Sequence, residues 1–152
     1  MLELLKKIHL FENLTEPELE KILKVCVKQP VARDAVIFKE GDPGDRCYII
    51  TLGSVRISKY IPNVGEEALA VLKPGDYFGE MALVDNFPRS ANAIANEDTD
   101  VFAINKTDLD RVLIADRELG YKLLWTFTKT LSKRLRETNE KIASFLAMSG
   151  GF

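Results

Sequence analysis

The sequence has one histidine, one tryptophan and two cysteines in 152 residues. Its apolar runs are also short, and none approaches the roughly 18 residues needed to span a bilayer. A single histidine, His9, cannot supply the His and carboxylate cluster of a barrel metalloenzyme of the cupin type, nor a choice of axial ligands for haem. Cys26 and Cys47 share no metal-ligand spacing and sit in apolar segments, so they read as reduced core thiols. Met1–Lys7 lacks the basic start and long apolar centre of a signal peptide, which places the protein in the cytoplasm. With a net charge of -2 the chain has no cationic excess for nucleic acid, and no nucleic-acid partner is expected.

What is present suits one soluble domain. A 46% hydrophobic, 29% charged chain of this length builds a single core with a helical appendage. The charge is uneven: residues 120–152 hold six Lys or Arg against two Glu, a surplus of 4, while residues 1–119 carry -6. The basic tail reads as a solvated helix face.

Leu2, Leu4, Leu5 and Ile8 suggest a short amphipathic helix interrupted near Phe11-Glu12-Asn13. Thr15-Glu16-Pro17-Glu18 has the form of a capping box. The helix behind it, with Leu19, Ile22, Leu23 and Cys26 at helical spacing, is predicted to stop before Pro30. The period then changes. Strands are predicted over 36–38, 47–52, 55–60, 68–72, 91–95 and 100–104, separated by turns containing Gly41, Gly44, Gly53, Gly65 and Gly75. Many short strands at even spacing argue for an antiparallel barrel or jelly-roll-like sandwich over about 30–104. Asn105 is a candidate N-cap for a helix through Leu113. Asp116 precedes a second helix of roughly 30 residues, closed by Ser149-Gly150-Gly151. Its stripe of Leu124, Phe127, Leu131, Leu135, Ile142 and Phe145 is longer than a small barrel covers, so part of it is expected to meet a second copy.

The stretch Phe78–Ala91 interrupts the strands. A short helix start after Gly79 offers amide N–H groups to an anion, and the glycine lets a ligand approach the backbone. Arg89 can clamp phosphate oxygens. Glu80 has no place against a phosphate, so its natural partner is a neutral donor such as a sugar hydroxyl. One arginine for one negative charge and one carboxylate for a hydroxyl suit a cyclic phosphodiester better than a triphosphate.

Phe78, Gly79, Glu80, Ala82 and Leu83, followed by Pro88, Arg89 and Ala91, resemble without a gap the phosphate-binding cassette of the cyclic nucleotide-binding domains. That family includes the catabolite activator protein and the regulatory subunits of protein kinase A. The similarity runs from Thr15 to about Ala147. It implies a mainly β fold with flanking helices: a double-stranded β-helix, or jelly-roll-like β-roll, over 30–104. N-terminal helices over 1–29 and a hinge with a long C-terminal lid helix over 105–148 flank it, all one domain. By the same resemblance Glu80 would accept the ribose 2′-OH and Arg89 would bind the cyclic phosphate. The backbone around Phe78, Gly79, Met81 and Ala82, with Ser90 and Ala91, would complete the anion site.

The resemblance further implies that Leu83 relays cassette movement, and that Thr138 and Asn139 lie near the base. It implies no enzyme activity and no cofactor beyond the ligand. That ligand is cAMP, with cGMP as the alternative, because Ser90 in bacterial-type cassettes usually accompanies cAMP. The partners implied are the cyclic nucleotide, a homodimer through the C-terminal helix and an effector protein outside this chain, since no helix-turn-helix, kinase, channel or cyclase segment is recognised in it. The competing readings are a ligand-free dimerisation module of the same fold, and a regulatory domain excised from a channel or transcription regulator.

Overall fold

The computed structural model describes residues 1–150. Helix α1 (Leu2–Lys6) and a 3-10 turn at His9–Phe11 lead into α2 (Glu16–Leu23). Eight strands follow: β1 (Cys26–Val31), β2 (Val36–Phe38), β3 (Arg46–Leu52), β4 (Val55–Ile61), β5 (Gly65–Leu72), β6 (Tyr77–Phe78), β7 (Asn92–Ala95) and β8 (Thr99–Asn105). A 3-10 turn at Glu80–Leu83 separates β6 from β7, and α3 (Lys106–Ala115) and α4 (Arg117–Ser149) close the chain. The strands form two antiparallel four-stranded sheets, ordered β1-β8-β3-β6 and β2-β7-β4-β5. This is the mainly β architecture with flanking helices that was expected.

The caps are local and form as the sequence dictates. Thr15 and Glu18 make the reciprocal capping box of α2. Asn105 accepts from the Thr107 amide at the start of α3, and Asp116 accepts from the Leu119 amide at the start of α4. Helix α4 ends at Ser149 with Gly150 as its C-cap, and Gly151 lies outside the described residues.

Two strands were not anticipated. β1 begins at Cys26, so α2 ends three residues earlier, at Leu23, and the strand runs through Pro30. Proline is tolerated because β1 is an edge strand, paired only with β8, where a missing N–H need not break the sheet. β6 has two residues, Tyr77 and Phe78, held against Ile49 and Tyr48, and is too short to show any period.

The sheet containing β3 and β8 is covered on both faces. Ile50, Val55, Phe78, Ala93 and Val101 fill the space between the sheets. Ile49, Phe102 and Ile104 join Leu5, Phe11, Leu19, Ile22, Leu119 and Phe127 of the helical layer in a second cluster. That is why Cys47–Ile50 and Val101–Ile104 are continuous apolar runs without alternation. Cys26 and Cys47 both pair with Ile104 from opposite sides, two strand spacings or about 9.5 Å apart. A disulfide needs Cα atoms within about 7 Å. Both thiols are free, and burial pushes each up to about 12.

Polar ties join the N-terminal segment to the first turns of α4. Lys122 donates to buried Glu18 at 2.7 Å, Lys21 to Asp116 at 2.7 Å and Asn13 to Thr126 at 3.2 Å. Burial acts to raise the Glu18 pKa, but the bonds from Lys122 and Thr15 outweigh it and hold the carboxyl below its ordinary value. A depressed folded-state pKa stabilises the fold above the unfolded value of about 4.3 and is lost as pH falls through the folded value. Glu18→Gln, which keeps the cap geometry, is therefore expected to melt below the parent at neutral pH. The gap closes on acidification below about pH 4. Thermal melts from pH 3 to 7 check this; a constant gap across the range contradicts it.

The stripe on α4 divides into two faces. Phe127 is buried with Leu119 and Leu123, whereas Leu124, Leu135, Ile142 and Phe145 are about half or more exposed. Every residue from Leu131 to Gly150 is exposed, so about 30 Å of helix extends past the core. Among the described residues no helix is long and apolar enough to cross a membrane.

Candidate ligand-binding site

β6, the 3-10 turn and the segment up to Ala91 wrap one cleft of about 730 Å³, within the ~300–1,000 Å³ typical of small-molecule sites. Phe78 anchors it from below. Its ring stacks on Tyr48 at 5.1 Å between centroids and meets Phe38 at 5.9 Å. Gly79 then adopts a left-handed conformation (φ 73°), which starts the turn at Glu80. A side chain there would be strained, and its Cβ would lie 2.8 Å from Arg89 Nη1.

Arg89 is held on every side but one. Its backbone N–H donates to Asp42 O and its carbonyl accepts from the Gly41 amide, both at 2.8 Å. Nη1 donates to Gly79 O at 3.1 Å and Nη2 to Arg46 O at 2.7 Å, while the guanidinium lies 4.2 Å over the Phe38 ring. Nε is buried with no partner among the described residues. Desolvation pulls the guanidinium below its ordinary pKa, yet an arginine stays cationic at neutral pH. A buried cation with a spare donor in a cleft wall is built to receive an anion.

Glu80 is buried and faces the same cleft. Its Oε1 accepts a charge-assisted bond from Arg134 of α4, and the Arg134 guanidinium also lies over the Tyr77 ring at 5.6 Å. Sequence reasoning missed Arg134, which reads as one more cation on a basic helix; no local pattern separates it from Lys133 or Arg136. Met81, Ala82, Ser90 and Ala91 line the cleft, and the Ala82 amide is used within the turn, donating to Gly79 O at 3.3 Å. The amides of Glu80 and Met81, at the turn's start, remain outside its internal bonding.

Leu83 points the other way and packs against the helical cluster containing Leu109, Leu119 and Leu123. Thr138 and Asn139 are exposed on α4, and Thr138 Oγ1 donates to Arg134 O at 2.8 Å. In this arrangement Arg134 is the residue that α4 contributes to the cleft wall. His9 lies outside the site, paired with Glu12 at 2.8 Å.

The cyclic nucleotide-binding domain profile matches residues 28–116. The chain belongs to the cyclic nucleotide-binding domain family. A CRP-like cAMP-activated global transcriptional regulator of Mycobacterium tuberculosis is 32% identical over 95% of this chain and 62% of its own length. A cAMP-dependent protein kinase regulatory subunit of Hypocrea atroviridis is 36% identical over 72% of this chain and 22% of its own. Among solved structures, a cyclic nucleotide-binding domain from Methylobacillus flagellatus superposes with a TM-score of 0.81 at 33% identity, covering 94% of this chain and 80% of that one. This cyclic nucleotide-binding domain thus spans less than two thirds of the two named curated relatives. The span matched by the family profile contains the cassette and the strands from Lys28 onward.

Proposed function

We propose that this domain is a cytoplasmic, non-catalytic sensor that binds cAMP in preference to cGMP and signals through α4. The observation that carries the reading is Arg89 Nε, buried and unpartnered in the wall of a cleft that also presents Glu80. Arg89 supplies the charge for the cyclic phosphate, with the Glu80 and Met81 amides beside it and the Ser90 hydroxyl at the rim. Glu80 accepts the ribose 2′-OH while Arg134 holds its other side. The mostly apolar remainder of the cleft, including Ile57, Ala70 and Leu72, suits a purine face. The cAMP named for the two relatives above supports cAMP as the preferred ligand.

Glu80 ties the cassette to α4 through Arg134, and Leu83 ties it to the helical layer. A ligand that draws on Glu80 and the turn therefore acts on the helix as well. It shifts α4 only by as much as its affinity differs between helix positions. Thr138 and Asn139, one turn beyond Arg134, are the residues that a further advance of α4 brings toward the base. Calorimetric titration of refolded protein with cAMP and cGMP tests the reading. Saturable binding with cAMP the tighter ligand is expected; no heat from either, in folded protein, refutes it.

We also infer that the exposed face of α4, with Leu124, Leu131, Leu135 and Ile142, pairs with a second copy. Light scattering over a concentration series is expected to give a dimer, and Leu135→Lys a monomer. A monomeric parent at every concentration excludes this pairing.

A further inference from the structure

Phe87 is the one aromatic ring of the cleft wall with no ring or cation against it among the described residues. Phe38 carries the Arg89 guanidinium, Phe78 stacks on Tyr48, and Tyr77 lies beneath Arg134. Phe87 stands two residues before buried Arg89 and lines the same cleft, yet it is 74% exposed. That exposure does not come from a slack loop. The Phe87 amide donates to Asp85 Oδ1 at 3.2 Å, and Asn86 Oδ1 accepts from Lys106 Nζ of α3 at 3.2 Å. Pro88 keeps Phe87 out of helical backbone. The segment is thus held in place while it presents an apolar ring to water at the rim of an anion site.

We propose that Phe87 is a ligand-contacting residue whose ring closes over bound nucleotide at the cleft rim, becomes buried there, and shields the Arg89–phosphate pair from solvent. The proposal rests on the nucleotide reading above. It assigns a position that the cassette pattern leaves open, between Leu83 and Pro88. A pair between a guanidinium and an anion strengthens as its surroundings become less polar, and it escapes salt screening once water is excluded. Burial of the ring itself adds to binding. Val84, in the same segment and also half exposed, does not line the cleft and serves as the control.

Because both side chains are exposed, Phe87→Ala and Val84→Ala leave the core intact. The cAMP affinity of the parent and both variants is measured by calorimetry from about 0.1 to about 1 M salt, over which the screening length falls from ~10 to ~3 Å. Phe87→Ala is expected to bind roughly fivefold to tenfold more weakly at low salt, and to lose affinity more steeply than the parent as salt rises. Val84→Ala is expected to match the parent in both respects. In a Trp125→Phe background, Phe87→Trp is expected to shift its emission to the blue on saturation with cAMP. Parent-like affinity in Phe87→Ala, an equal loss in Val84→Ala, a loss with the parent's salt dependence, or an unshifted emission overturns the proposal. Any of these with a binding parent refutes this proposal alone. A folded parent that binds no cyclic nucleotide refutes the functional reading, and this proposal falls with it.

Discussion

Arg89→Ala is expected to weaken cAMP binding by about 3 kcal/mol, or roughly 150-fold, the scale of losing a charge-assisted clamp in a buried site. In the proposed complex the side chain meets the anion with a charge that desolvation has already made costly, so removing it would forfeit that interaction. It also leaves Gly79 O and Arg46 O without their donors and uncovers the Phe38 face. A drop in melting temperature of several degrees is expected with it, since each unsatisfied carbonyl costs about 1 kcal/mol or more. Arg89→Lys separates the two effects. It keeps the charge but cannot span both carbonyls while offering a third donor, so binding is expected to fall by an intermediate factor of about 10. Calorimetry on the three proteins, each confirmed folded by circular dichroism, makes the comparison. Parent-like affinity in Arg89→Ala would remove the anion site from Arg89.

Gly53→Ala is expected to be the most destabilising single-methyl change in the turns, by about 3 kcal/mol. Gly53 joins β3 to β4 at φ 86°, and a Cβ there would lie 2.6 Å from Asp98 O and 2.8 Å from Thr99 Cα. These are backbone atoms of the neighbouring turn and cannot swing aside. Thr99, at the start of β8, is itself pinned by its hydroxyl, whose single proton is shared between Glu97 O at 2.8 Å and Ser54 O at 3.1 Å. In a chain of this length the change corresponds to a melting temperature lower by roughly 6–12 °C. Gly75 supplies the control: it is equally left-handed at φ 94°, but a Cβ there meets nothing within 4 Å. Gly75→Ala is expected to cost only the strain of an alanine at positive φ, about 1 kcal/mol, or roughly 2–4 °C. Equal losses at the two sites would mean that backbone strain alone, and not the close approach, sets the cost.

Features decided within a few residues were legible beforehand. The Thr15–Glu18 capping box, the Asn105 cap and the turns at Gly41, Gly53 and Gly75 depend on side chains or a missing Cβ at their own positions. The left-handed kink at Gly79 is equally local, but it was not read from the sequence and came from the structure. Six of the eight strands announced themselves through β-branched and aromatic residues between turn signals. β1 did not, because its proline is acceptable only at a sheet edge and edge position belongs to the sheet, not to the segment. β6 did not, because two residues have no period.

The sequence by itself determined that there is a cassette, what chemistry it offers, and that a long helix follows it. Those statements concern residues close together in the chain, where backbone sterics and short side-chain bonds leave few alternatives. Only the tertiary structure decided which side chain of that helix reaches the cleft. Glu80 and Arg134 are 54 residues apart, and each residue along a helix turns its side chain by about 100°. Packing of Leu119, Leu123 and Phe127 sets that rotation: it turns Arg134 to the carboxylate and leaves Leu135 in solvent.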